Sequence, residues 1–349
     1  MAPPFRIGVM QLTMEPLEEI LAHARRMDEA GFDTIWLAEA YPWWRKHSME
    51  ARSSTALSAL VARETERLAV GWGIISPYTR HPIQIAMEAR VTQEAAGPGR
   101  FYLGLGVSKI FMRHAGVGEG SRPVAAMKEA AAIIRAVLGG EAVDFGGKVF
   151  EAHIPELRGD ADAPRWDVPL YFAGTGPMML RAAAQTADGI LTASITTPAF
   201  VRYVRDRVTE AGRDPDELDI GCTIVASIAE GREAGRDGAR EIAGMYLANK
   251  VQNIQSAADT LLELAGLSQE EIQPVADAME RGGRLAAKAA VTDEILDKCR
   301  PIAGTPGDCI AAIEEYRAAG CTHVMLELWG DDRLGQLRLF GERVLPHFR

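Results

Sequence analysis

Residues 71–82 read GWGIISPYTRHP, and this stretch decides the fold because a strand ends in it and a helix begins. Just upstream and within it, Val70 and Trp72 alternate with small residues, a pattern that suits a strand packed closely on both faces. Pro77 cannot continue a central sheet ladder, so the strand ends before it. Pro82 fits the first turn of the next helix. The segment is therefore a strand–helix unit whose glycine-bordered strand end a ligand can approach.

Seven further segments read as strands, and helical patterns separate them. Most are continuous apolar runs, as expected for parallel strands covered by helices. Eight such alternations predict a (β/α)8 TIM barrel of the α/β class, in one domain over residues 1–349. A doubly wound open sheet is the alternative, because alternation alone does not establish closure. The strand candidates are residues 6–11, 34–40, 68–76, 101–108, 169–174, 189–194, 218–228 and 323–329.

A repeated helix–glycine–strand unit near the two ends of the chain supports this organisation. Residues 27–37 read MDEAGFDTIWL and residues 316–326 read YRAAGCTHVML. In each, a helix end is followed by a glycine and then by an apolar strand. Gly31 and Gly320 are expected to adopt the left-handed conformation that ends a helix.

Two gaps between strands are too long for plain loops. Between strands four and five, a helix at residues 122–138 is followed by a small hairpin at 143–153, with its turn at 145–148. Between strands seven and eight, residues 230–300 form a helical insertion. Because it follows the carboxyl end of a strand, it lies on the active face of a barrel. A lid and an oligomer contact both fit this pattern. Its expected helices are residues 240–251, 257–265, 269–279 and 284–299.

Composition narrows the function classes. The chain of 349 residues is 47% hydrophobic and 25% charged, which is ordinary for a soluble globular protein. A net charge of −10 without basic runs argues against nucleic-acid binding. We see no secretory signal and no apolar run long enough to span a membrane. The four cysteines lack CxxC spacing, which favours free thiols in a reducing cytoplasm over disulfides or zinc.

The best phosphate-binding candidate is the loop of Gly174, Thr175 and Gly176, which joins strand five to a helix beginning near Pro177. Free N–H groups at a helix start favour an anion, and glycines let it come close. The alternative is an ordinary tight turn, since the third glycine of a dinucleotide fingerprint is missing.

Two other strand ends carry candidate residues. Strand four ends at Gly106, Val107 and Ser108, and Lys109 follows in the loop. The glycine could allow a flat ring to stack there, or it could be a packing position. Strand two ends at Glu39 and Ala40, and the next loop contains Trp43, Trp44 and His47. The adjacent tryptophans would form a wall for an aromatic cofactor or an apolar substrate, or would pack under the insertion.

The sequence lacks the residue patterns that other barrel or hydrolase chemistries require. Barrel glycosidases need opposed carboxylates at strand ends, and although Glu39 and Glu327 lie near such ends, strands four and seven offer Ser108 and Ser227. The seven histidines are scattered, so no metal site is expected. No Gly-x-Ser-x-Gly elbow occurs. The scarcity of polar groups suits a bound redox cofactor that carries the chemistry itself.

Three motifs together resemble the bacterial-luciferase-like superfamily, and most closely its branch that uses the deazaflavin coenzyme F420, typified by methylenetetrahydromethanopterin reductase. The resemblance runs from Ile7 to about Phe340. Its most specific pieces are GIISPYTRHP at residues 73–82, GRFYLGLG at 99–106, and GTGPMML at 174–180 with ADG at 187–189.

The resemblance implies where a cofactor binds. Family members hold a flavin-type ring at the carboxyl-terminal mouth of the barrel, and the cofactor phosphate in the loop that matches residues 174–176. In deazaflavin-using members, a bulge with a non-prolyl cis peptide backs the ring, and the matching bond here is Gly73–Ile74. The cofactor-binding residues expected on this basis are Ala40, Gly73, Ile74, Ile75, Gly106, Val107, Ser108, Ala173, Gly174, Thr175 and Gly176.

Two positions depart from the family pattern. The methanopterin reductases carry a glutamate on strand one where this chain has Met10, and many relatives carry a histidine where it has Ala40. Both changes remove a group that could handle protons near the ring, so methanopterin reduction is not expected. The substitute candidates are Gln11, Glu39, Tyr41, His47 and Lys109, of which Gln11, Glu39 and Lys109 are assigned catalytic roles.

The sequence is therefore interpreted as a cytoplasmic oxidoreductase that transfers hydride between coenzyme F420 and an organic substrate. Trp43, Trp44 and His47 are the expected substrate-binding residues. An FMN-dependent monooxygenase of the same superfamily is the first alternative, and a non-catalytic ligand-binding or oligomer-forming barrel is the second. A homodimer or higher homo-oligomer is expected.

Overall fold

The computed structural model describes residues 3–39, 50–108, 112, 116–117, 121–156, 166–252 and 256–349. Eight parallel strands form a closed barrel in the order β1-β2-β3-β4-β7-β8-β9-β11, with β11 pairing back to β1. The barrel prediction is confirmed, and closure excludes the open sheet. The strands are β1 Arg6–Leu12, β2 Thr34–Ala38, β3 Ala69–Trp72, β4 Phe101–Leu105, β5 Val143–Gly146, β6 Glu151–Ile154, β7 Leu170–Ala173, β8 Gly189–Thr192, β9 Asp219–Ile228, β10 Ile302–Gly304 and β11 His323–Leu328.

Helices follow the barrel strands and cover the outside of the sheet. Gly31 and Gly320 have φ values of 87° and 93°, which confirms the predicted left-handed residues after the helices that end beside them. The described α-helices are α1 Leu17–Ala30, α2 Ser54–Glu64, α3 Pro82–Ala96, α4 Pro123–Leu138, α5 Pro177–Thr186, α6 Pro198–Glu210, α7 Arg232–Gln252, α8 Ser256–Ala265, α9 Gln269–Ala290, α10 Asp293–Lys298, α11 Pro306–Ala318 and α12 Arg333–Arg343.

The barrel interior shows why strand β3 alternates large and small residues. Trp36 is fully buried inside the barrel, and a Cβ on Gly71 would lie 2.4 Å from its ring carbons. A Cβ on Gly73 would lie 3.0 Å from the Met10 methyl group. Trp72 faces the other way, into the core between the sheet and the helices, where its Nε1 donates to Ser58 Oγ at 2.9 Å. The glycines therefore make room for bulky interior side chains.

The predicted hairpin is confirmed as the antiparallel pair β5–β6. Its turn begins later than expected, because Gly146 still pairs with Glu151 and the Gly147 N–H donates to the Phe150 carbonyl at 2.8 Å. The Glu129 carboxylate of α4 accepts the backbone N–H groups of Lys148, Val149 and Phe150 at 2.8–3.0 Å. This cluster of bonds shifts the turn and fixes it on the helix.

The insertion between β9 and β11 is helical, as predicted, but its elements differ from the predicted bounds. The first helix begins at Arg232 instead of residue 240, and the helix from Gln269 continues to Ala290 instead of ending at 279. The segment predicted as one helix over 284–299 is divided, because α9 ends at Ala290 and Thr292 caps α10 with its hydroxyl. Gly283 has a φ of 68° and marks a kink inside α9. In addition, the short strand β10 pairs with the end of β9 and was not predicted.

The insertion packs against the carboxyl end of the barrel. Its apolar side chains form a second core cluster with Leu12, Ile195, Val225 and Trp329, which lie in or just after barrel strands. Among the described residues, no helix has the length and apolar character of a membrane span. All four cysteines are buried, free thiols. The assignment of the chain to a single domain stays a prediction.

Candidate active site

A cavity of about 340 Å³ opens at the carboxyl end of the barrel. Residues in or just after seven barrel strands line it, and α7 of the insertion contributes two more side chains. This is the face on which barrel enzymes carry their active sites. The lining residues are Met10, Leu12, Ala38, Glu39, Gly73, Ile74, Gly106, Val107, Ser108, Ala173, Gly174, Thr175, Leu191, Thr192, Ala193, Ser194, Ile195, Thr223, Tyr246 and Lys250.

Many of the residues predicted from the sequence line this cavity, although they come from four separate parts of the chain. They are Glu39, Gly73, Ile74, Gly106, Val107, Ser108, Ala173, Gly174 and Thr175. Gln11, Ile75 and Gly176 are described but do not line it. Ala40, Tyr41, Trp43, Trp44, His47 and Lys109 lie outside the described residues.

The strand-three bulge has the predicted cis peptide bond between Gly73 and Ile74. Sheet pairing resumes immediately afterwards, because the Ile75 N–H donates to the Gly104 carbonyl at 2.9 Å. As a result Ile74 faces the cavity, whereas Ile75 is fully buried in the main core. Both isoleucines were expected to bind the cofactor, but only Ile74 lines the cavity, and Ile75 lies in the core.

Ile74, Gly106 and Ala173 form one apolar wall of the cavity. A Cβ on Gly106 would lie 2.8 Å from Ile74 Cγ1 and 3.2 Å from Ala173 Cβ. Glycine at position 106 thus lets three neighbouring strand ends come together without a projecting side chain. A planar ring can lie flat on such a surface.

The loop after β7 leads into α5 with helix-capping geometry. Gly176 is the N-cap, with φ −81° and ψ 149°, and Pro177 occupies the first helical position. The Gly174 N–H donates to the Leu191 carbonyl, but within the described part of the chain no backbone carbonyl accepts from the N–H groups of Thr175 or Gly176. These two donors at a helix N-terminus suit an anionic group beside the cavity.

Glu39 lines the cavity, but its charge is already compensated. Both carboxylate oxygens accept from the Arg80 guanidinium at 2.9 Å, in a bidentate pair. Arg80 belongs to the SPYTRHP segment that first indicated the strand–helix unit, and it also lies 3.5 Å from Glu88. Nothing in the sequence indicated that Glu39, predicted to be catalytic, has this partner. The pair holds the Glu39 carboxylate in place at the rim of the cavity, and its catalytic role stays a prediction.

The predicted catalytic role of Gln11 disagrees with its placement. Its side chain is buried and donates to the Glu15 carboxylate at 2.9 Å and to the Leu12 carbonyl at 2.8 Å. Arg333 of α12 lies 2.5 Å from the other Glu15 oxygen. Gln11 therefore helps to hold β1 against α12, and it does not face the cavity. The reason is local: its neighbours Met10 and Leu12 take the positions that line the cavity.

A buried carboxyl group lies behind the cavity wall, and the sequence placed it near a strand end without indicating a role for it. Glu327, at the end of β11, is 0% exposed and receives hydrogen bonds from Tyr246, Ser194 and Trp329. Burial raises its pKa to about 7, and these three bonds and the Arg333 charge offset only part of that rise. A glutamate in the apolar run HVMLELW was the available signal. Nothing in the sequence pointed to Tyr246.

Lys250, one turn beyond Tyr246 on α7, was also missed. It lines the cavity, and burial lowers its pKa to about 8. No described carboxylate forms an ion pair with it. Since Arg80 neutralises Glu39, Lys250 is the uncompensated charge among the described lining residues. Among the described residues, no cluster of three or more metal-ligating side chains occurs.

Comparisons with known proteins agree with this architecture. A family model described as "Luciferase-like monooxygenase" matches residues 1–323. The chain is 26% identical over 341 residues to 5,10-methylenetetrahydromethanopterin reductase of Archaeoglobus fulgidus, covering 95% of this chain and 96% of that protein. It is 26% identical over 358 residues to F420-dependent glucose-6-phosphate dehydrogenase of Nakamurella multipartita, covering 99% and 97%.

A solved structure shows the same fold. It is the coenzyme F420-dependent tetrahydromethanopterin reductase of Methanopyrus kandleri, which superposes with a TM-score of 0.86 over 99% of this chain and 100% of that one, at 24% sequence identity.

Proposed function

This chain belongs to the luciferase-like monooxygenase family, and on that premise we propose that it is an oxidoreductase that transfers hydride between coenzyme F420 and an organic substrate. Similar proteins over nearly the full length are named as F420-dependent enzymes, which supports the cofactor. The observation that carries the proposal is the cavity itself. It joins a flat apolar wall to the N–H donors of a helix N-terminus, at the carboxyl end of a barrel.

The residues present fit a deazaflavin with an anionic tail. Ile74, Gly106 and Ala173 would hold one face of the ring, because Gly106 adds no side chain between its two apolar neighbours. The N–H groups of Thr175 and Gly176 would bind phosphate oxygens, helped by the α5 dipole. When bound, the deazaflavin supplies a ring carbon that gives or takes a hydride. The protein must then position the substrate, exclude water and manage one proton.

The substrate side of the cavity is more polar than the ring wall. Ser194, Tyr246 and Lys250 line it, so it offers two hydroxyls and a cation to an oxygen-bearing substrate. Met10 places a thioether where the methanopterin reductases are expected to carry a carboxylate, so we do not propose methanopterin as the substrate. Trp43, Trp44 and His47 remain predicted substrate contacts, and Lys109 and Ala40 keep their predicted roles near the ring.

Competition between cofactors tests the proposal. Cofactor-free protein is titrated with F420 and with FMN, and F420 fluorescence and protein tryptophan fluorescence are followed. Tighter binding of F420 is expected, and FMN should be displaced by it. Stoichiometric FMN that F420 cannot displace would overturn the cofactor assignment and favour an FMN-dependent monooxygenase, which the family description also allows. Failure to bind either cofactor would favour the non-catalytic alternative.

We further propose a cytoplasmic homodimer or higher homo-oligomer of single-domain subunits. Light scattering of the purified protein measures the mass directly, and a monomer at all concentrations would contradict the oligomer.

A further inference from the structure

We propose that the buried carboxyl group of Glu327 is the proton store of this cavity, and that the hydroxyl groups of Tyr246 and Ser194 carry protons between it and the bound substrate. The existence of this relay is independent of the cofactor. Its use during hydride transfer rests on the proposed function.

The geometry connects an inaccessible carboxyl group to the cavity through hydroxyls. Tyr246 Oη lies 2.6 Å from Glu327 Oε1, and Ser194 Oγ lies 3.0 Å from Oε2. Trp329 Nε1 donates to Oε1 at 3.2 Å. Tyr246 and Ser194 both line the cavity, whereas Glu327 and Trp329 do not. Each carboxyl oxygen therefore has one hydroxyl contact that reaches the cavity.

Hydroxyl groups can reverse their hydrogen bonds, and this makes a relay possible. When Glu327 is ionised, Tyr246, Ser194 and Trp329 all donate to it, and the two hydroxyls offer lone pairs to the cavity. When Glu327 is protonated, its own O–H donates to one hydroxyl, which can then donate into the cavity. The indole N–H of Trp329 can only donate, so it cannot take part in this reversal.

A second tyrosine–carboxylate pair in the same barrel shows what is special about Glu327. Tyr171 Oη donates to Asp219 at 2.6 Å, but Arg6 lies 2.5 Å from the same carboxylate oxygen. Burial would raise the pKa of Asp219, but its bonds with His323 and the Arg6 charge hold it well below its usual range. Asp219 therefore stays ionised. No cation of the described residues contacts Glu327, which can gain and lose a proton near neutral pH.

The charged groups near Glu327 form their ion pairs with other residues. On α12, Arg333 pairs with Glu15, and His23 lies 3.5 Å from the same guanidinium. On α9, Arg284 lies over the Trp329 ring and pairs with Glu241.

On α7, Lys250 faces the cavity one turn from Tyr246.

In the proposed reaction, the substrate loses one hydride and one proton. On oxidation, a substrate C–H bond breaks and its hydride, with two electrons, passes to the deazaflavin. The substrate O–H or N–H bond breaks at the same time, and a carbon–heteroatom double bond forms. Its proton passes to Tyr246 Oη or Ser194 Oγ, which gives its own proton to Glu327. Reduction of the substrate runs every step in reverse.

Infrared spectroscopy of cofactor-free protein tests the relay without a substrate. The band of the protonated Glu327 carboxyl should titrate with a midpoint near pH 7 and be absent in Glu327→Gln. Tyr246→Phe and Trp329→Phe each remove one donor to the carboxylate, so both should move the midpoint upward. Absence of a band titrating between pH 5 and 9 would overturn the proposal.

A pH-jump experiment separates the relay from a structural role. After rapid mixing, protonation of Glu327 should be at least about tenfold slower in the Tyr246→Phe, Ser194→Ala double variant. Trp329→Phe is the matched control, because it perturbs the same carboxylate without touching the cavity, and its rate should match the wild type. Equal rates in the double variant would overturn the relay.

If the double variant does not fold, Ser194→Ala alone is used, with an expected smaller slowing; an unchanged rate there counts against the relay. If F420 binds and reacts, the pH profile of its reduction should share the infrared midpoint. A profile that lacks this midpoint while Glu327 titrates would remove Glu327 from the reaction but leave the F420 assignment standing.

Discussion

Replacing Glu327 by glutamine should make the protein's stability less sensitive to pH. Glutamine mimics the protonated carboxyl group: its oxygen can accept from Tyr246 and Trp329, and its amide can donate to Ser194 Oγ. The substitution therefore keeps the shape and hydrogen bonds of the site. It removes only the charge that appears when Glu327 ionises.

The size of the effect follows from the pKa. In the folded protein the pKa of Glu327 rises from 4.5 to about 7, so the folded state holds its proton more tightly than the unfolded chain. The native stability that this provides is complete below pH 4.5 and is lost as the pH rises through 7. The full difference corresponds to about 3 kcal/mol. Glu327→Gln should match the wild type at pH 4 and exceed its free energy of unfolding by about 3 kcal/mol at pH 8.

Equilibrium urea unfolding of cofactor-free protein between pH 4 and pH 9 measures this difference. The m-values of the two proteins should agree, which shows that both expose the same surface on unfolding. Glu280→Gln is the matched control, since it removes the same charge from an exposed position of the insertion. Its difference from the wild type should vary little with pH. A flat difference curve for Glu327→Gln as well would refute the reasoning, because the Glu327 carboxyl would then titrate as an exposed group does.

Three further predictions concern other residues. Gly176→Asp should weaken F420 binding by about 1–3 kcal/mol in a titration, because a carboxylate repels the phosphate. The control is Gly176→Asn, an equally good N-cap without the charge, which should bind F420 nearly as the wild type does. Equal losses of affinity in the two variants would contradict a charge effect. Lys250 should react with an amine-modifying reagent with a midpoint near pH 8, followed by mass spectrometry, and bound cofactor should protect it; a midpoint near 10.5 would contradict the burial effect. Asp219→Asn should cost about 3–5 kcal/mol of unfolding free energy, since it leaves the partly buried Arg6 guanidinium without its counter-charge. A near-neutral result in urea unfolding would show that Arg6 finds another partner.

The sequence alone determined the strand–helix order and much of the cavity wall. Prolines, glycines and runs of apolar residues act through local backbone preferences, so Pro77, Pro82 and Gly31 indicated where elements end and begin. Once the alternation implies a barrel, the ends of its strands must meet at one face, and this alone brings residues such as Ile74, Gly106 and Thr175 together. The cis bond at Gly73–Ile74 came from the resemblance, since local preference does not require it.

The tertiary structure alone decided which polar groups are available for chemistry. The sequence showed no partner for Glu39 or Gln11, but in the structure Glu39 pairs with Arg80 and Gln11 donates a hydrogen bond to Glu15. Glu327 looked like an ordinary strand-end carboxylate, and it acquires its raised pKa from burial beneath an insertion helix that begins at Arg232. Such properties depend on side chains that are far apart in the sequence and on the exclusion of water between them. Local sequence patterns do not indicate these contacts or this burial, so the properties can be identified only in the folded structure.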